Sequence, residues 1–299
     1  MKKQTKLIGI YLIIMANLLI LTGCGSTTSL TPAPAQTAQI PQPQNPSIIL
    51  ATTTSTQDSG LLEVLVPEFE KQTGYKIQTI AVGTGAALAM GEKGEADVLL
   101  VHAPASEKKL VDNKIGINYN LVMHNDFIII GPTADPAKIK GLKSPVQALK
   151  AIADSKSIFI SRGDKSGTDT MEKSLWKTAS ITPSGTWYQE SGTGMGQTLK
   201  IASEKSGYIL TDRATYLATK KSLQLDILVE GDASLLNIYH VMQINPEKFP
   251  KVNSEGAKAF DDFMLSPVTQ QLIGNFGKVK FGQALFFPDA GKKQEDLGK

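Results

Sequence analysis

Hydroxyls, glycines and one arginine gather in two short runs of this chain. The first is Ala51-Thr52-Thr53-Thr54-Ser55-Thr56-Gln57-Asp58-Ser59-Gly60, and the second is Ser161-Arg162-Gly163-Asp164-Lys165-Ser166-Gly167-Thr168. Each follows a short apolar run and precedes an amphipathic helical pattern. Of the 31 lysines plus arginines, only Arg162 and Arg213 are arginine, so a guanidinium is scarce here. The first turn of a helix offers unpaired N–H groups and the positive end of its dipole. Hydroxyls add donors, glycines admit close backbone approach, and a guanidinium forms a planar fork for paired oxygens. These features together describe a site for a small oxyanion. Either run alone reads as an ordinary N-cap; their matched setting sets the pair apart.

The leading candidates are therefore Thr53, Thr54, Ser55, Arg162, Ser166, Gly167 and Thr168. Two further glycine turns, Gly83-Thr84-Gly85 and Gly192-Thr193-Gly194-Met195-Gly196, add Thr84, Gly85, Gly194, Met195 and Gly196, with Ser161 beside the arginine. The second turn lacks dinucleotide glycine spacing, and no P-loop lysine follows it. Asp58, Asp164 and Asp169 read as groups that orient Arg162 and Lys165 or cap helices. Arg213, beside Asp212, reads as a structural ion pair or helix cap. Arg162-Gly163-Asp164 as an adhesion tripeptide is a chance match of three residues.

Catalytic chemistry finds little support. His102, His124 and His240 are far apart in the chain, and none lies in a metal-ligand motif. His102 ends an apolar run and reads as a satisfied structural histidine that could line a cleft. There is no Gly-x-Ser-x-Gly elbow. No enzyme activity, cofactor or metal ion is expected.

Two loops of this kind need strands and helices to hold them. Strand-like runs at Ile48–Thr52, Tyr75–Val82, Asp97–Val101 and Phe127–Ile130 alternate with helical patterns at 61–74, 86–90 and 106–112. Pro67 lies inside the first of these helices, and Gly74 suits its C-terminus. A second set follows. Helical patterns at 146–153, 168–176, 195–205 and 214–219 alternate with strands at 157–160, 187–189, 207–211 and 225–229. A strand at 240–244 and helices at 254–265 and 268–273 close the chain. The pattern predicts an α/β protein with two lobes, mixed or parallel sheets flanked by helices, and a ligand in the inter-lobe cleft. Residues 48–130 plus 240–288 form the first lobe and 131–239 the second. Residues 289–299 form a polar, flexible tail.

The N-terminus is a targeting segment. Lys2, Lys3 and Lys6 precede an apolar stretch from Leu7 to Leu21, which is short for a spanning helix. Leu21-Thr22-Gly23-Cys24 resembles a lipoprotein processing site. That implies a signal peptide over 1–23, a lipid on Cys24 and extracytoplasmic anchoring at the cell membrane. The segment holds three lysines and no acid, so the rest of the chain carries equal numbers of basic and acidic residues. The basic pI implies no nucleic-acid partner. Residues 24–47 lack charge and are rich in proline, which predicts a tether. One cysteine allows no internal disulfide.

The two runs resemble the tungstate-binding component of bacterial tungstate ABC importers. So do Ala96–Pro104, Asn125–Pro132, Trp187-Tyr188-Gln189, Gly194-Met195-Gly196 and Leu210-Thr211-Asp212-Arg213. The likeness covers nearly all of 48–288. It implies a type II periplasmic-binding-protein fold, a tungstate ligand held by the Thr54/Ser55 loop, Arg162 and the Ser166–Thr168 turn, and a permease partner; a monomer is expected. Two positions depart from the family's pattern. Asp169 stands where a histidine is usual, and 118–124 lacks a usual arginine. Molybdate, phosphate or sulfate on the same fold remain alternatives, as does a secreted enzyme acting on phosphate or sulfate esters.

Overall fold

The computed structural model describes residues 42–297. The predicted signal peptide, Cys24 and most of the predicted tether lie outside the described residues. In chain order the first lobe contains β1 (Ser47–Thr53), α1 (Thr54–Asp58), α2 (Leu62–Thr73), β2 (Lys76–Val82), α3 (Thr84–Lys93), β3 (Val98–Val101) and α4 (Pro104–Asp112). The long strand β4 (Gly116–Pro132) then leaves it. The second lobe holds α5 (Pro145–Ser155), β5 (Phe159–Ser161), α6 (Gly167–Thr178), β6 (Tyr188–Glu190), α7 (Met195–Glu204), β7 (Ile209–Asp212), α8 (Arg213–Thr219) and β8 (Leu225–Val229). The chain returns through β9 (Leu236–Ile244), and α9 (Ser254–Leu265), α10 (Pro267–Asn275) and β10 (Phe287–Pro288) complete the first lobe.

The first lobe's sheet has the order β2-β1-β3-β9-β4-β10. β1 runs parallel to β2 and β3, and β9 runs antiparallel to β3 and β4. The second half of β4 pairs with β7 and β8, both antiparallel. β5 pairs with β6 in parallel and joins the sheet through a bridge from Phe159 to Tyr208. Parallel pairing through crossover helices places the loops after β1, β3 and β5 at strand carboxyl ends, where α/β sheets present ligand loops. The first lobe's core centres on Phe69, Phe260 and Phe263, and the second's on Phe159, Trp176 and Tyr208. Pro67 is accommodated inside α2, which ends at Gly74 in the left-handed region (φ 78°).

Two expectations need correction. The strands were expected to begin at Phe127 and His240, but they begin at Gly116 and Leu236. Asn118, Asn120, His124, Asn125 and Asp126 lower strand propensity in the first half of β4. Cross-strand pairing with β9 overrides it. β4 changes partner between Asp126 and Phe127, from β9 to β7. The pairing therefore passes from one sheet to the other inside β4, and β9 begins opposite it at Leu236. The tail also differs. Asp289 is fully buried and accepts from His124 Nδ1 at 2.6 Å and Lys292 Nζ at 2.9 Å, which docks the start of the segment expected to be flexible.

Glu172 on α6 is buried, and its Oε1 accepts from Trp176 Nε1 at 3.1 Å and Tyr188 Oη at 2.7 Å. Burial pushes its carboxyl up to about 7, against the opposing pull of its hydrogen bonds. A raised folded pKa gives stability that is present below the unfolded value of 4.5 and is lost as pH rises through about 7. Urea unfolding should therefore show wild type losing about 1–3 kcal/mol between about pH 5 and about pH 8, and Glu172→Gln losing less. An equal loss in the variant would show that other groups set this dependence.

Candidate oxyanion site

β1 ends at Thr53, which caps α1 by accepting from Thr56 N. Its hydroxyl lies 3.1 Å from Ser55 Oγ, 2.7 Å from Thr56 Oγ1 and 3.0 Å from His102 Nε2. Ser55 Oγ lies 3.1 Å from the same imidazole nitrogen. All four side chains are buried. His102 follows β3, the strand next to β1, so adjacent strand ends bring the imidazole under the threonine loop.

A chain of hydrogen bonds fixes which way these groups donate. Asp212 Oδ1 accepts from Thr215 N at 2.8 Å and from Asn125 Nδ2 at 3.5 Å, the longest link. Asn125 Oδ1 accepts from Asn237 Nδ2 at 2.7 Å, and Asn237 Oδ1 lies 2.8 Å from His102 Nδ1. An amide oxygen only accepts, so Nδ1 carries the proton and the single lone pair of Nε2 accepts from one of the two hydroxyls. Burial lowers the imidazole's pKa to about 4, and the positive charge of Arg162 adds to this. His102 is thus neutral at physiological pH. The circuit closes where Thr215 Oγ1 donates to Ser55 O at 3.1 Å.

Hydroxyl, imidazole and amide in this order share the connectivity of a nucleophile and its base. The arrangement does not activate a nucleophile, because an imidazole held near a pKa of about 4 is a weak base and the hydroxyls are buried.

Arg162 follows β5 and is 1% exposed. Its Nη2 donates to Thr54 Oγ1 at 2.9 Å and to Asp164 Oδ2 at 2.5 Å. Nε and Nη1 are buried without a hydrogen-bond partner, and so is Thr168 Oγ1. Buried donors without partners are costly unless something accepts from them. The arginine loop is stapled from behind. Asp169 accepts from Gly163 N at 3.1 Å and Lys165 N at 3.2 Å, and Asp164 Oδ1 accepts from Ser166 N at 3.1 Å. Gly163 and Lys165 both sit at positive φ, 62° and 58°. Asp169, the departure from the family pattern, is therefore spent on the loop's own backbone and on Lys173, 3.1 Å away.

The lobes are closed over this site. Arg162 to Thr54 is one direct link between them. Gly167 N donates to Thr84 Oγ1 at 2.8 Å, Gly85 N to Lys165 O at 3.2 Å and Gly196 N to Asp58 Oδ2 at 2.9 Å. Glycine is needed at this seam. A Cβ on Gly167 would stand 2.8 Å from His102 Nδ1, and one on Gly194 would stand 3.2 Å from Thr54 Cβ.

A family model described as a PBP superfamily domain matches residues 35–268. The chain is 49% identical over 289 residues to the tungstate-binding protein TupA of Peptoclostridium acidaminophilum, covering 96% of this chain and 99% of that one. This chain belongs to the TupA family of the PBP superfamily. A crystal structure of the tungstate ABC transporter from Geobacter sulfurreducens superposes with a TM-score of 0.72 at 48% identity, covering 77% of this chain and 98% of the other. The tungstate-binding protein TupA of Desulfovibrio alaskensis G20 gives 0.68 at 48% identity, covering 82% and 99%. These relatives are named as binding and transport proteins, not enzymes. The two-lobe α/β fold expected from the sequence is the one shared with this family.

Within the TupA-family fold, Arg162 meets Thr54 across the seam, Gly167 packs against His102, which holds Thr53 and Ser55, and Thr168 Oγ1 is buried without a partner. Ser166 Oγ caps α6 by accepting from Asp169 N at 3.1 Å. Thr84, Gly85, Gly194 and Gly196 make the seam itself. Met195 is buried with its sulfur accepting from Thr211 Oγ1 at 3.3 Å. Ser161 Oγ is buried without a hydrogen-bond partner. Arg213 pairs with Asp126 at 2.6 Å and Glu230 at 2.6 Å, outside this group. His102, Asn125, Asn237, Asp212 and Thr215 were not singled out as ligand-site residues. The available signal was a run of polar residues interrupting strands that are otherwise apolar. A cavity of about 630 Å³ beside Tyr119 and His240 belongs to the first lobe and touches neither loop.

Gly167→Ala should hold the lobes apart without unfolding either. Under conditions that close the wild type, small-angle scattering should give a larger radius of gyration. The melting temperature should stay within about 2 °C. A variant that closes like wild type would mean that His102 yields to the added methyl.

Proposed function

We propose that this chain captures tungstate between its two lobes and delivers it to the permease of an ABC importer. The observation that carries this reading is Arg162. It is a buried guanidinium with two unpaired donor nitrogens, facing the Thr54/Ser55 loop across a closed seam. Tungstate at neutral pH is a dianion with no proton to donate, so it suits converging donors. The ligand set is Thr53, Thr54, Ser55, Arg162, Gly167 and Thr168, with Thr84, Gly85 and Gly194 shaping closure. Binding selects the closed state by its extra affinity for it. No helix among the described residues is long and apolar enough to cross a membrane. Anchoring in this reading comes from a lipid on Cys24 after removal of 1–23. The protein acts extracytoplasmically as a monomer, with no cofactor.

A phosphate receptor is the second reading, and one observation favours it. Asp212 Oδ2 is a buried acceptor without a partner, and phosphate at neutral pH carries a proton to offer it. Calorimetry against tungstate, molybdate, sulfate and phosphate separates the two, with tungstate expected to bind most tightly. Arg162→Ala should weaken tungstate binding by about 2–4 kcal/mol, since it removes a charge-assisted contact from a dry interior. Unchanged affinity would move the anion elsewhere, and tighter phosphate than tungstate binding would select the second reading. Cys24→Ser should shift the chain from the membrane to the soluble fraction on fractionation. Retention in the membrane would remove the lipid anchor from this reading.

A further inference from the structure

Among the described residues, five buried side-chain atoms lack a hydrogen-bond partner: four belong to Ser161, Arg162 and Thr168, and the fifth is Asp212 Oδ2. Asp212 is fully buried at the N-terminus of α8. Its other oxygen, Oδ1, is already engaged by Thr215 N and Asn125 Nδ2. The charge near it does not favour a second carboxylate. Arg162 is the facing cation, and Asp164 already matches it at 2.5 Å. Arg213 is turned to Asp126 and Glu230. Tyr239, from β9, is held neutral because burial raises its pKa, and His102 is neutral because burial lowers its own. An ionised Asp212 would leave this interior negative before any oxyanion entered. A dianion would then add two more negative charges in a region of low dielectric.

We propose that the oxyanion is bound together with one proton, and that Asp212 carries this proton on Oδ2. The inference rests on the oxyanion reading above and deepens it. The proton comes from the buffer acid, whose own bond to it breaks as the O–H bond on Asp212 forms. Oδ1 stays free to accept, so the hydrogen-bond chain to His102 keeps its direction. Burial already pushes the carboxyl up to about 6, against the hold of Thr215 and Arg162, and a neighbouring dianion pushes it further the same way. The site is then selective for an anion plus a proton. Tungstate binds with the proton held on Asp212, whereas hydrogen phosphate brings its own to an ionised Asp212.

The test is calorimetry of the purified full chain with sodium tungstate in buffers of different ionisation enthalpy. At about pH 7.5 the enthalpy should vary with buffer by on the order of one proton taken up per anion. Affinity should rise up to about tenfold per pH unit as pH falls from about 8 to about 6.5. Glu172→Gln should keep the uptake, which excludes that raised carboxyl as its source. Asp212→Asn should bind with uptake near zero, since asparagine still caps α8. If that variant does not fold, infrared difference spectra of wild type decide. A protonated-carboxyl band should appear on binding, and its absence would overturn the proposal. Tungstate binding without proton uptake, or uptake that persists in Asp212→Asn, would overturn this inference alone. Absence of tungstate binding in every buffer would overturn the oxyanion reading and this inference with it.

Discussion

The hydrogen-bond chain from Asp212 through Asn125 and Asn237 to His102 constrains most of what surrounds it. A carboxylate oxygen accepts and cannot donate, so one end of the chain sets the orientation of every amide and ring along it. The imidazole is left with a lone pair aimed at Thr53 and Ser55. The same chain joins the two lobes at their hinge. Asn125 and Asn237 are register partners on β4 and β9, next to the point where β4 changes sheets. Asp212 ends β7 in the second lobe, and His102 follows β3 in the first. Buried polar groups of this kind are costly when half satisfied and rigid when complete. The hinge strands therefore keep polar residues where a purely apolar strand would pack more cheaply.

Closure depends on this rigidity from one side and on glycine from the other. The threonine loop is held from beneath by His102, and the arginine loop is held from behind by Asp164 and Asp169. Each loop is fixed by bonds within its own lobe, which is the condition for donors to act at full strength on an anion. The seam can then be tight only if no side chain intervenes. Gly167 against His102 and Gly194 against Thr54 meet that condition. Arg162 links the two requirements, since it touches Thr54 across the seam and keeps two nitrogens turned inward.

The two loops and the alternation of strands and helices were legible because they are local. Apolar runs, hydroxyl N-caps and glycine turns encode themselves within a few residues. The polar half of β4 was not legible, because its strand character comes from β9, more than a hundred residues away, rather than from its own composition. Asp289 was read as tail for the same reason, since its partner is His124 on that strand. His102 shows the limit most clearly. It was visible as a histidine at a strand end, but nothing near it in sequence distinguishes a packed imidazole from one that orients two hydroxyls.

The balanced charge of residues 24–299 fits this arrangement. A protein with a large positive field would draw in anions of every shape, with selectivity left to chance. Here attraction is confined to one guanidinium, partly matched by Asp164, and to backbone and hydroxyl donors whose directions are fixed. An anion gains from such a site only when its oxygens fall where those donors point, so geometry decides more than charge does. Asp169 fits the same logic. Its carboxylate adds negative charge near the anion loop, yet Gly163 N, Lys165 N and Lys173 absorb it. What reaches the cleft from Asp169 is the loop's conformation rather than its charge.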